Sequence, residues 1–549
     1  MAPWLLPFSF SLLRLLPLLA APQVEVHEVA RLLRPAPESP ASRYGSHILT
    51  SEDEEERTSA YLPSSSRLGF LSADCLQQLL RRAVGEEGFA VDPLGEAWLV
   101  RGSSSAQSKA RDLLSALRAA AARRVEVELS FHDLAGGKGG ASGEPGKALA
   151  SARLDLVPGA LGSYGRRTER SFLMDYDVEV AERASVADPE FGTILAGLGI
   201  DLRAHLLSDG RVHLTLLADR GEALGSEPFD TGAEGLGTLD VPRVGVAAIA
   251  SCASVREGEA ARFEVRDLRE GEGPGFLLSV RARSIPREEP LADGSRLLPV
   301  GFLADAGGRL LPRFDDRLRA VADEEAPDPE TVPPSRFLEW LREALGAERF
   351  DSVLGGGALA VPGSDSRVAL AGVPEEVLAR AGEIRGALEG PLASGVSLLL
   401  EIGGGGEAPS PSPSARLGVT VGRACGAVLG VESTRVADYD VEIAQRSVAA
   451  DPVVVREFDG VVFRAGLLAL EGDRATLEVE LLARSLGPRT RRATGIRHLG
   501  EVETAPVERA EVRRILTLAP GERALLGEVP APGAAGSRLP AYLSAVPLR

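Results

Sequence analysis

The sequence predicts an α+β fold in which a small mixed α/β module, followed by a β-rich domain, occurs twice in tandem. The first observation is a repeated stretch: DYDVEVAERASVADP begins at Asp175, and the similar DYDVEIAQRSVAADP begins at Asp438. The second observation is that each copy follows a segment with helical spacing of apolar residues. Each copy also precedes long segments in which apolar and polar residues alternate, which is typical of strands.

The repeat extends well beyond this stretch. LRRAVGEEGFAVDPLGEAWLVRGSSS from Leu80 aligns with LREALGAERFDSVLGGGALAVPGSDS from Leu341. The offset is 350 − 89 = 261 here and 438 − 175 = 263 at the repeated stretch. The difference falls where both copies carry a flexible low-complexity loop, AGGKGGASGEPGK in one and GGGGEAPSPSPS in the other. Collinear matches of this kind predict an internal duplication.

The chain therefore divides into eight segments. They are a signal peptide (1–20), an N-terminal segment with one strand and an acidic loop (21–67), an α+β module (68–132), a β-rich domain (133–284), a linker (285–334), a second α+β module (335–402), a Gly/Pro/Ser loop (403–414) and a second β-rich domain (415–549). Six positions of the repeated stretch are structural repeat residues: Tyr176, Asp188, Pro189, Tyr439, Asp451 and Pro452.

Each module has the order helix, strand, strand, helix, strand. In the first copy, SADCLQQLLRRAV is a helix with Ser72 as its N-cap, followed by strands around Phe89–Val91 and Ala97–Arg101. A second helix runs from about Ser104 to Ala121, and RVEVELSF alternates as a half-buried strand. VEVHEVARLL, which precedes this module, could supply a further strand.

The second copy repeats this scheme. A helix from Phe337 to Leu345 precedes two strands around Gly356, and Pro374 opens the second helix at a first-turn position. The strand GVSLLLEI ends the module.

The β-rich domains contain hairpins whose register follows from their patterns. In GIDLRAHLLSDGRVHLTLL the apolar faces coincide if Leu206 lies opposite Val212, with Gly210 at the left-handed position of a three-residue turn. Further strands are expected around Val241–Ala250, Ala261–Val265 and Gly275–Val280.

The same register places His205 opposite His213 on the polar face of the hairpin. Two imidazoles at this distance could share a metal ion, but the alternative is a pair of solvent-facing polar residues, and the second copy has Leu468 and Thr476 at these places. We therefore predict no metal site here.

Acidic residues alternate along one strand face in both copies of the repeated stretch. Asp175, Asp177 and Glu179 offer oxygen ligands that calcium accepts, as do the equivalent residues from Asp438 onward. Alternate residues of a strand lie about 7 Å apart, so other segments would have to complete a coordination shell. The alternative, which we favour, is a solvated strand face.

Composition and motifs exclude several functions. The formal net charge of −18, without a basic run, argues against a nucleic-acid partner. The three cysteines are widely spaced and indicate neither a disulfide framework nor a zinc site. Nucleophile elbow, P-loop and dinucleotide fingerprints are absent. We expect no catalytic residues, no cofactor and no enzyme activity.

The N-terminus indicates export. MAPWLLPFSFSLLRLLPLLAAPQ has an apolar core and ends in small residues, with a plausible cleavage point just before Ala21. The uninterrupted apolar run is too short for a membrane-spanning helix.

Three stretches carry a resemblance to a known family. The module ending in RRVEVELSF, the block GTILAGLGIDLRAHLLSDGRVHLTLLADRGE and the block LGTLDVPRVGVAAIASCASVREGEAARFEV resemble the ring-building repeats and the β-domain of the secretins. In the second copy, VERAEVRRILTLAPGERALLGEV is similar to the last block. Secretins are the ring-forming outer-membrane channels of type II and type III secretion and of type IV pili.

The resemblance implies an exported protein of the periplasm or outer membrane with a structural role. Its partners would be further copies of itself or other envelope secretion components. A block like VPxLGxIPxLGxLF is missing after either β-rich domain, so the fold carries over better than the channel does. The alternative is a monomeric periplasmic scaffold or ligand-binding protein that reuses these domains without forming a pore.

Overall fold

A computed structural model describes most of the chain. It covers residues 23–28, 47–49, 73–84, 90–94, 97–121, 124–134, 148–156, 158–159, 161–181, 184–232, 236–266, 274–285, 296–299, 334–355, 359–362, 367–371, 373–403, 414–444, 447–496, 499–534 and 536–548. The predicted signal peptide lies outside the described residues.

The described part of the chain is mainly β-structure. Its helices are α1 (Ala73–Val84), α2 (Ser104–Ala121), α3 (Pro334–Leu345), α4 (Ala347–Gly355) and α5 (Glu375–Ala393). Its strands are β1 (Gln23–Glu28), β2 (Ile48–Leu49), β3 (Ala90–Leu94), β4 (Ala97–Gly102), β5 (Arg124–Asp133), β6 (Ala148–Leu156), β7 (Leu161–Ala181), β8 (Ala184–Leu206), β9 (Val212–Asp230), β10 (Thr238–Val255), β11 (Ala260–Val265), β12 (Phe276–Ile285), β13 (Arg296–Pro299), β14 (Leu359–Pro362), β15 (Arg367–Ala371), β16 (Gly395–Ile402), β17 (Ala415–Thr420), β18 (Ala424–Ala444), β19 (Ser447–Glu471), β20 (Arg474–Leu486), β21 (Thr490–Ala493), β22 (Glu501–Thr504), β23 (Val507–Leu518), β24 (Arg523–Pro530) and β25 (Arg538–Pro547).

Two large antiparallel sheets dominate the fold. The nine-stranded sheet has the order β2-β8-β9-β10-β18-β19-β20-β23, with β7 paired to β8. The eight-stranded sheet has the order β24-β25-β16-β17-β11-β12-β5-β6. Strand pairs such as β7–β8 and β18–β19 are adjacent in the chain and form long hairpins.

One hydrophobic cluster lies between these two sheets. Every second residue of β5, from Val125 to Phe131, faces it, which is the alternation that RVEVELSF predicts. Ile200 and Leu202 of β8 and Leu398 of β16 face it from the other elements. Because each fully buried Leu, Ile or Val contributes about 1.5–3 kcal/mol, this shared core is the main force that holds the sheets face to face.

With β2 set aside, the strand orders divide each sheet into two blocks of four strands. The blocks β7-β8-β9-β10 and β11-β12-β5-β6 form what we call the first half, and the blocks β18-β19-β20-β23 and β24-β25-β16-β17 belong to the second half. The halves meet edge to edge where β10 pairs with β18 and β11 pairs with β17. We call these two pairings the seam.

The small modules lie beside the large sheets. The first contains α1, α2 and the sheet β1-β4-β3, with β1 in the position proposed for VEVHEVARLL. The second contains α3, α4, α5 and the sheet β13-β15-β14. Tandem duplication of the whole module and domain stays a prediction, because the strand order alone does not establish it.

One strand prediction in the second module is wrong. Of the two strands expected around Gly356, both β14 and β15 follow it, and the residues before it form α4. The reason is that Phe350 and Val353 have the i, i+3 spacing of a helix face and pack into the core of the second module. Gly346, at φ 82°, separates α4 from α3.

The segment predicted as a linker, 285–334, contains a strand that the sequence reasoning missed. Arg296–Pro299 forms β13 and pairs with β15 along Arg296↔Leu370 to Pro299↔Arg367. Four residues are too short a run for alternation to reveal a strand.

Candidate functional site

The repeated stretch forms the end of a long hairpin in each half. In the first half, Tyr176 pairs with Pro189 and Asp177 with Asp188, on β7 and β8. In the second half, Tyr439 pairs with Pro452 and Asp440 with Asp451, on β18 and β19. The structural repeat residues therefore occupy the same register in both hairpins.

The two hairpins also share an irregularity. The register shifts between Leu173 and Asp175 in one and between Val436 and Asp438 in the other. In both, the aspartate carboxylate accepts a hydrogen bond of 2.9 Å from the backbone N–H of the tyrosine that follows. A β-bulge leaves a backbone group outside the ladder, and this aspartate satisfies it. The first aspartate of each stretch therefore has a local architectural role.

The tyrosine of each stretch lies over a glycine of its own half. A methyl group added at Gly237 would lie 2.7 Å from the Tyr176 hydroxyl oxygen, and one added at Gly500 would lie 2.9 Å from that of Tyr439. The sequence separation is 61 residues in both cases, since 237 − 176 = 500 − 439. Absence of a side chain at these glycines lets the tyrosine approach the backbone closely.

Tyr439 also reaches across to the first half. Its hydroxyl lies 3.1 Å from the carbonyl oxygen of Thr231 and 3.0 Å from that of Glu501. The backbone N–H of Glu501 donates to the same Thr231 oxygen at 3.0 Å. Burial, together with the charges of Glu501, Asp175 and Asp230, raises the pKa of Tyr439 to about 12. The hydroxyl thus stays protonated at any ordinary pH, and its single proton is shared between the carbonyl oxygens of Thr231 and Glu501.

The hairpin ends bring carboxyl groups of the two halves together. Burial raises the pKa of Asp175 to about 7, and the charges of Asp451 and Glu190 add to this effect. Hydrogen bonds from the backbones of Tyr176 and Val454 act in the opposite direction. Asp175 and Asp451 come from different copies of the repeated stretch, so this contact belongs to the junction of the halves.

Backbone pairing forms the rest of that junction. β10 and β18 pair from Arg243↔Ser433 to Ala250↔Gly426, and β11 and β17 pair at Glu264↔Arg416 and Val265↔Ala415. Ser251 beside this pairing donates to the Gly418 carbonyl at 2.9 Å and accepts from the Gly418 N–H at 2.7 Å, which ties the two sheets together.

A short N-terminal strand is part of the large sheet beside the junction. β2 pairs with β8, while the backbone N–H of His47 donates to Glu432 of the second half at 2.7 Å. The imidazole Nε2 lies 3.1 Å from Asp219, whose carboxylate also accepts from Arg167 at 2.7 Å. We call residues 47–49 the strap.

The buried acids set the charge of the strap. Burial on its own lowers the pKa of His47, but the hydrogen bond and charge of Asp219 and the charge of Glu432 outweigh it. The Arg167 charge opposes them, and the net pKa is raised above its ordinary value. The imidazole thus holds the strap to Asp219 of the first half, and the backbone N–H of the same residue holds it to Glu432 of the second half.

The hairpin predicted from GIDLRAHLLSDGRVHLTLL has the expected register. Leu206 pairs with Val212, His205 pairs with His213, and Gly210 has φ 83°. The expectation that these histidines face solvent is wrong, because both are buried. His213 Nδ1 lies 3.1 Å from Ser254 Oγ, which donates to the Leu392 carbonyl of α5 at 2.6 Å.

α5 explains this burial. Glu389 accepts from the backbone N–H of Ser208 at 2.8 Å, and Arg211 donates to the Ala393 carbonyl at 2.6 Å. Helix α5 of the second module therefore docks on the β8–β9 turn of the first half. This contact between distant segments could not be read from alternation within a strand.

The described residues contain no group of three or more His, Cys, Asp or Glu side chains arranged to hold a metal ion. Asp177 and Glu179 are exposed on the strand face considered for calcium, whereas Asp175 turns into the bulge. Among the described helices, none has the length and apolar character needed to cross a membrane.

A scan of family models finds no match to this chain, and a search of curated proteins finds none either. Among solved structures, the secretin-domain β-barrel of InvG from the Salmonella SPI-1 injectisome matches at 14% identity and a TM-score of 0.21. That match covers 50% of this chain and 91% of the InvG chain.

The V. cholerae type IV competence pilus secretin PilQ matches at 8% identity and a TM-score of 0.17, covering 84% of this chain and 69% of that one. TM-scores this low do not establish a shared architecture.

Proposed function

We propose that this chain is an exported structural protein of the cell envelope, related to the secretins, which assembles edge to edge with further copies of itself. Its role is mechanical rather than catalytic. The secretin relation and the export rest on the three resembling stretches and the apolar N-terminus.

The seam is the observation that carries the proposal of self-assembly. At an offset of 263 residues, β10 corresponds to β23 and β18 corresponds to β7, since Ile249 maps to Val512 and Ala427 maps to Tyr164. Ile249 and Ala427 are partners in the seam. The nine-stranded sheet therefore has, at its edges β23 and β7, the counterparts of two strands that already pair at its centre.

The edges of the eight-stranded sheet are likewise counterparts of the strands that pair at its centre. β11 and β17 pair at the seam, and their counterparts β24 and β6 lie at the two ends of the eight-stranded order. Edge strands present backbone N–H and C=O groups that favour pairing with another chain. Because the same junction is repeated in both sheets, one rotation can relate all halves, and repeated use of it gives a ring if it closes or a filament if it does not.

The test is the mass of the native particle. We expect protein extracted in mild detergent to form a discrete assembly of many chains that fractionates with the outer membrane, after which a conductance measurement would show whether the assembly is a pore. A particle of one or two chains in the soluble periplasmic fraction would overturn the proposal and favour the monomeric scaffold.

A further inference from the structure

The contact of Tyr439 with the first half has an incomplete counterpart at Tyr176 and Gly237 of the first half, and Tyr176 packs in the same hydrophobic cluster as Tyr439. Tyr439 and Gly500 are buried against the Thr231 turn, and a side chain at Gly500 would overlap the Thr231 carbonyl oxygen. Gly237 is exposed and Tyr176 is half-buried. A methyl group at Gly237 would meet, among the described atoms within 4 Å, those of Tyr176.

The turn that would complete the counterpart is present at the far end of the chain. Thr231 corresponds to Thr494, since 231 + 263 = 494. Thr231 bonds across its turn from Oγ1 to the Gly237 carbonyl at 3.1 Å, and Thr494 does so from Oγ1 to the Leu499 carbonyl at 3.2 Å. Thr494 is half-buried in this chain, whereas Thr231 is fully buried by the second half.

We propose that Tyr176 and Gly237 form a docking site for the Thr494 turn of a second copy, in the arrangement that Tyr439 and Gly500 have with Thr231 inside the chain. This inference rests on the proposed self-assembly and assigns its contact residues. The Tyr176 hydroxyl donates to the partner's Thr494 carbonyl, and the absent side chain at Gly237 makes room for that oxygen. Tyr176 of the first copy thus contacts a second chain, in the way that Tyr439 of the second copy contacts the first half of its own chain.

The site has two features that make it specific. The acceptor is a backbone carbonyl, so its position depends on the docking geometry of the turn rather than on a flexible side chain. At the internal junction the same carbonyl also receives the N–H of Glu501, whose counterpart is the exposed Thr238. Two donors converging on one oxygen leave little freedom in the placement of the second copy.

Matched glycine substitutions test the proposal. In Gly237→Ala the added methyl group meets the end of a flexible Tyr176 side chain within the chain, but it would occupy the place of the partner's Thr494 oxygen. We expect this variant to keep the unfolding midpoint of the parent and to weaken assembly at least about ten-fold, measured by sedimentation over a range of concentrations. Gly500→Ala is the control, because it should lower the unfolding midpoint of the chain itself.

Tyr176→Phe is a second variant that does not crowd the backbone. Loss of one hydrogen bond should weaken assembly roughly three- to ten-fold without changing the unfolding midpoint, and Tyr439→Phe should lower that midpoint instead. If the parent assembles and both first-half variants assemble equally well, the docking site is wrong while self-assembly stands. If the parent stays monomeric at all concentrations, the proposed function itself is wrong.

Discussion

Asp175 shows how a single carboxyl group can make the junction of the halves sensitive to pH. Its pKa is raised to about 7 by burial and by neighbouring acids, whereas the ordinary pKa of an aspartate carboxyl is 3.8. A carboxyl with a raised folded-state pKa binds its proton more tightly when folded, so ionisation costs stability as the pH rises from about 4 to above 7.

We therefore expect Asp175→Asn to raise the unfolding midpoint at pH 8 by about 2–4 °C and to leave it nearly unchanged at pH 4. The amide oxygen can still accept from the Tyr176 N–H, so the bulge is preserved. Thermal unfolding at both pH values measures the effect, with Asp438→Asn as the matched change in the second half. An equal shift of the unfolding midpoint at both pH values would contradict the raised pKa of Asp175.

His47 has the opposite pH behaviour. Its pKa is raised in the folded state, so the stability that it contributes is fully present below the unfolded-state value of 6.5 and is lost as the pH rises through the folded-state value. We expect His47→Gln to lower the unfolding midpoint at about pH 6 by a few degrees and to have a smaller effect at about pH 9. An effect that grows with pH would show that the Asp219 contact does not stabilise the strap.

At the scale of elements, β8 separates from β9 at a glycine. Pairing of the two strands ends at Gly197↔Gly221, and beyond it the strap takes the place beside β8. Gly197 has φ 132°, and a methyl group there would overlap the Arg166 carbonyl oxygen. Glycine is needed for both the backbone conformation and the close approach.

Gly197→Ala should therefore destabilise the chain by about 2–3 kcal/mol, through a strained backbone and a clash that the Arg166 backbone must relieve. Gly225→Ala is a matched control, because Gly225 has φ 129° but no described atom within 4 Å of the added methyl group. For the control we expect the free energy of unfolding to fall by about 1–2 kcal/mol, measured by denaturant unfolding. If both variants lost the same free energy of unfolding, crowding at Gly197 would contribute nothing.

Elements governed by local patterns could be predicted from the sequence. The register of the β8–β9 hairpin, with Leu206 opposite Val212, followed from alternation and one glycine, and α2 covers the predicted range Ser104–Ala121. The prediction of a strand before Gly356 was wrong because the spacing of Phe350 and Val353 suits a helix as well as a strand. The prediction that His213 faces solvent was wrong because α5, which covers this residue, lies far away in the chain.

At the scale of the whole molecule, the repeat was visible in the sequence but its consequence was not. The sequence aligned Tyr176 with Tyr439, yet alignment does not say whether two copies form separate domains or share their sheets. Pairing of β10 with β18 decides this, and it depends on contacts between residues nearly two hundred positions apart. In the proposed assembly, a second chain joins at the outer strands β7 and β23.

A pair of cysteines tests this account most directly. If chains join in the register of the seam, Tyr164→Cys and Val512→Cys lie directly opposite each other between chains, within reach of a disulfide. With Cys75 replaced by serine, we expect oxidation to give a ladder of covalent multimers. Ile249→Cys with Ala427→Cys should close within one chain, and the shifted pair Arg166→Cys with Val512→Cys should cross-link poorly. Monomers alone from the first pair, or equal ladders from the shifted pair, would contradict edge-to-edge assembly in this register.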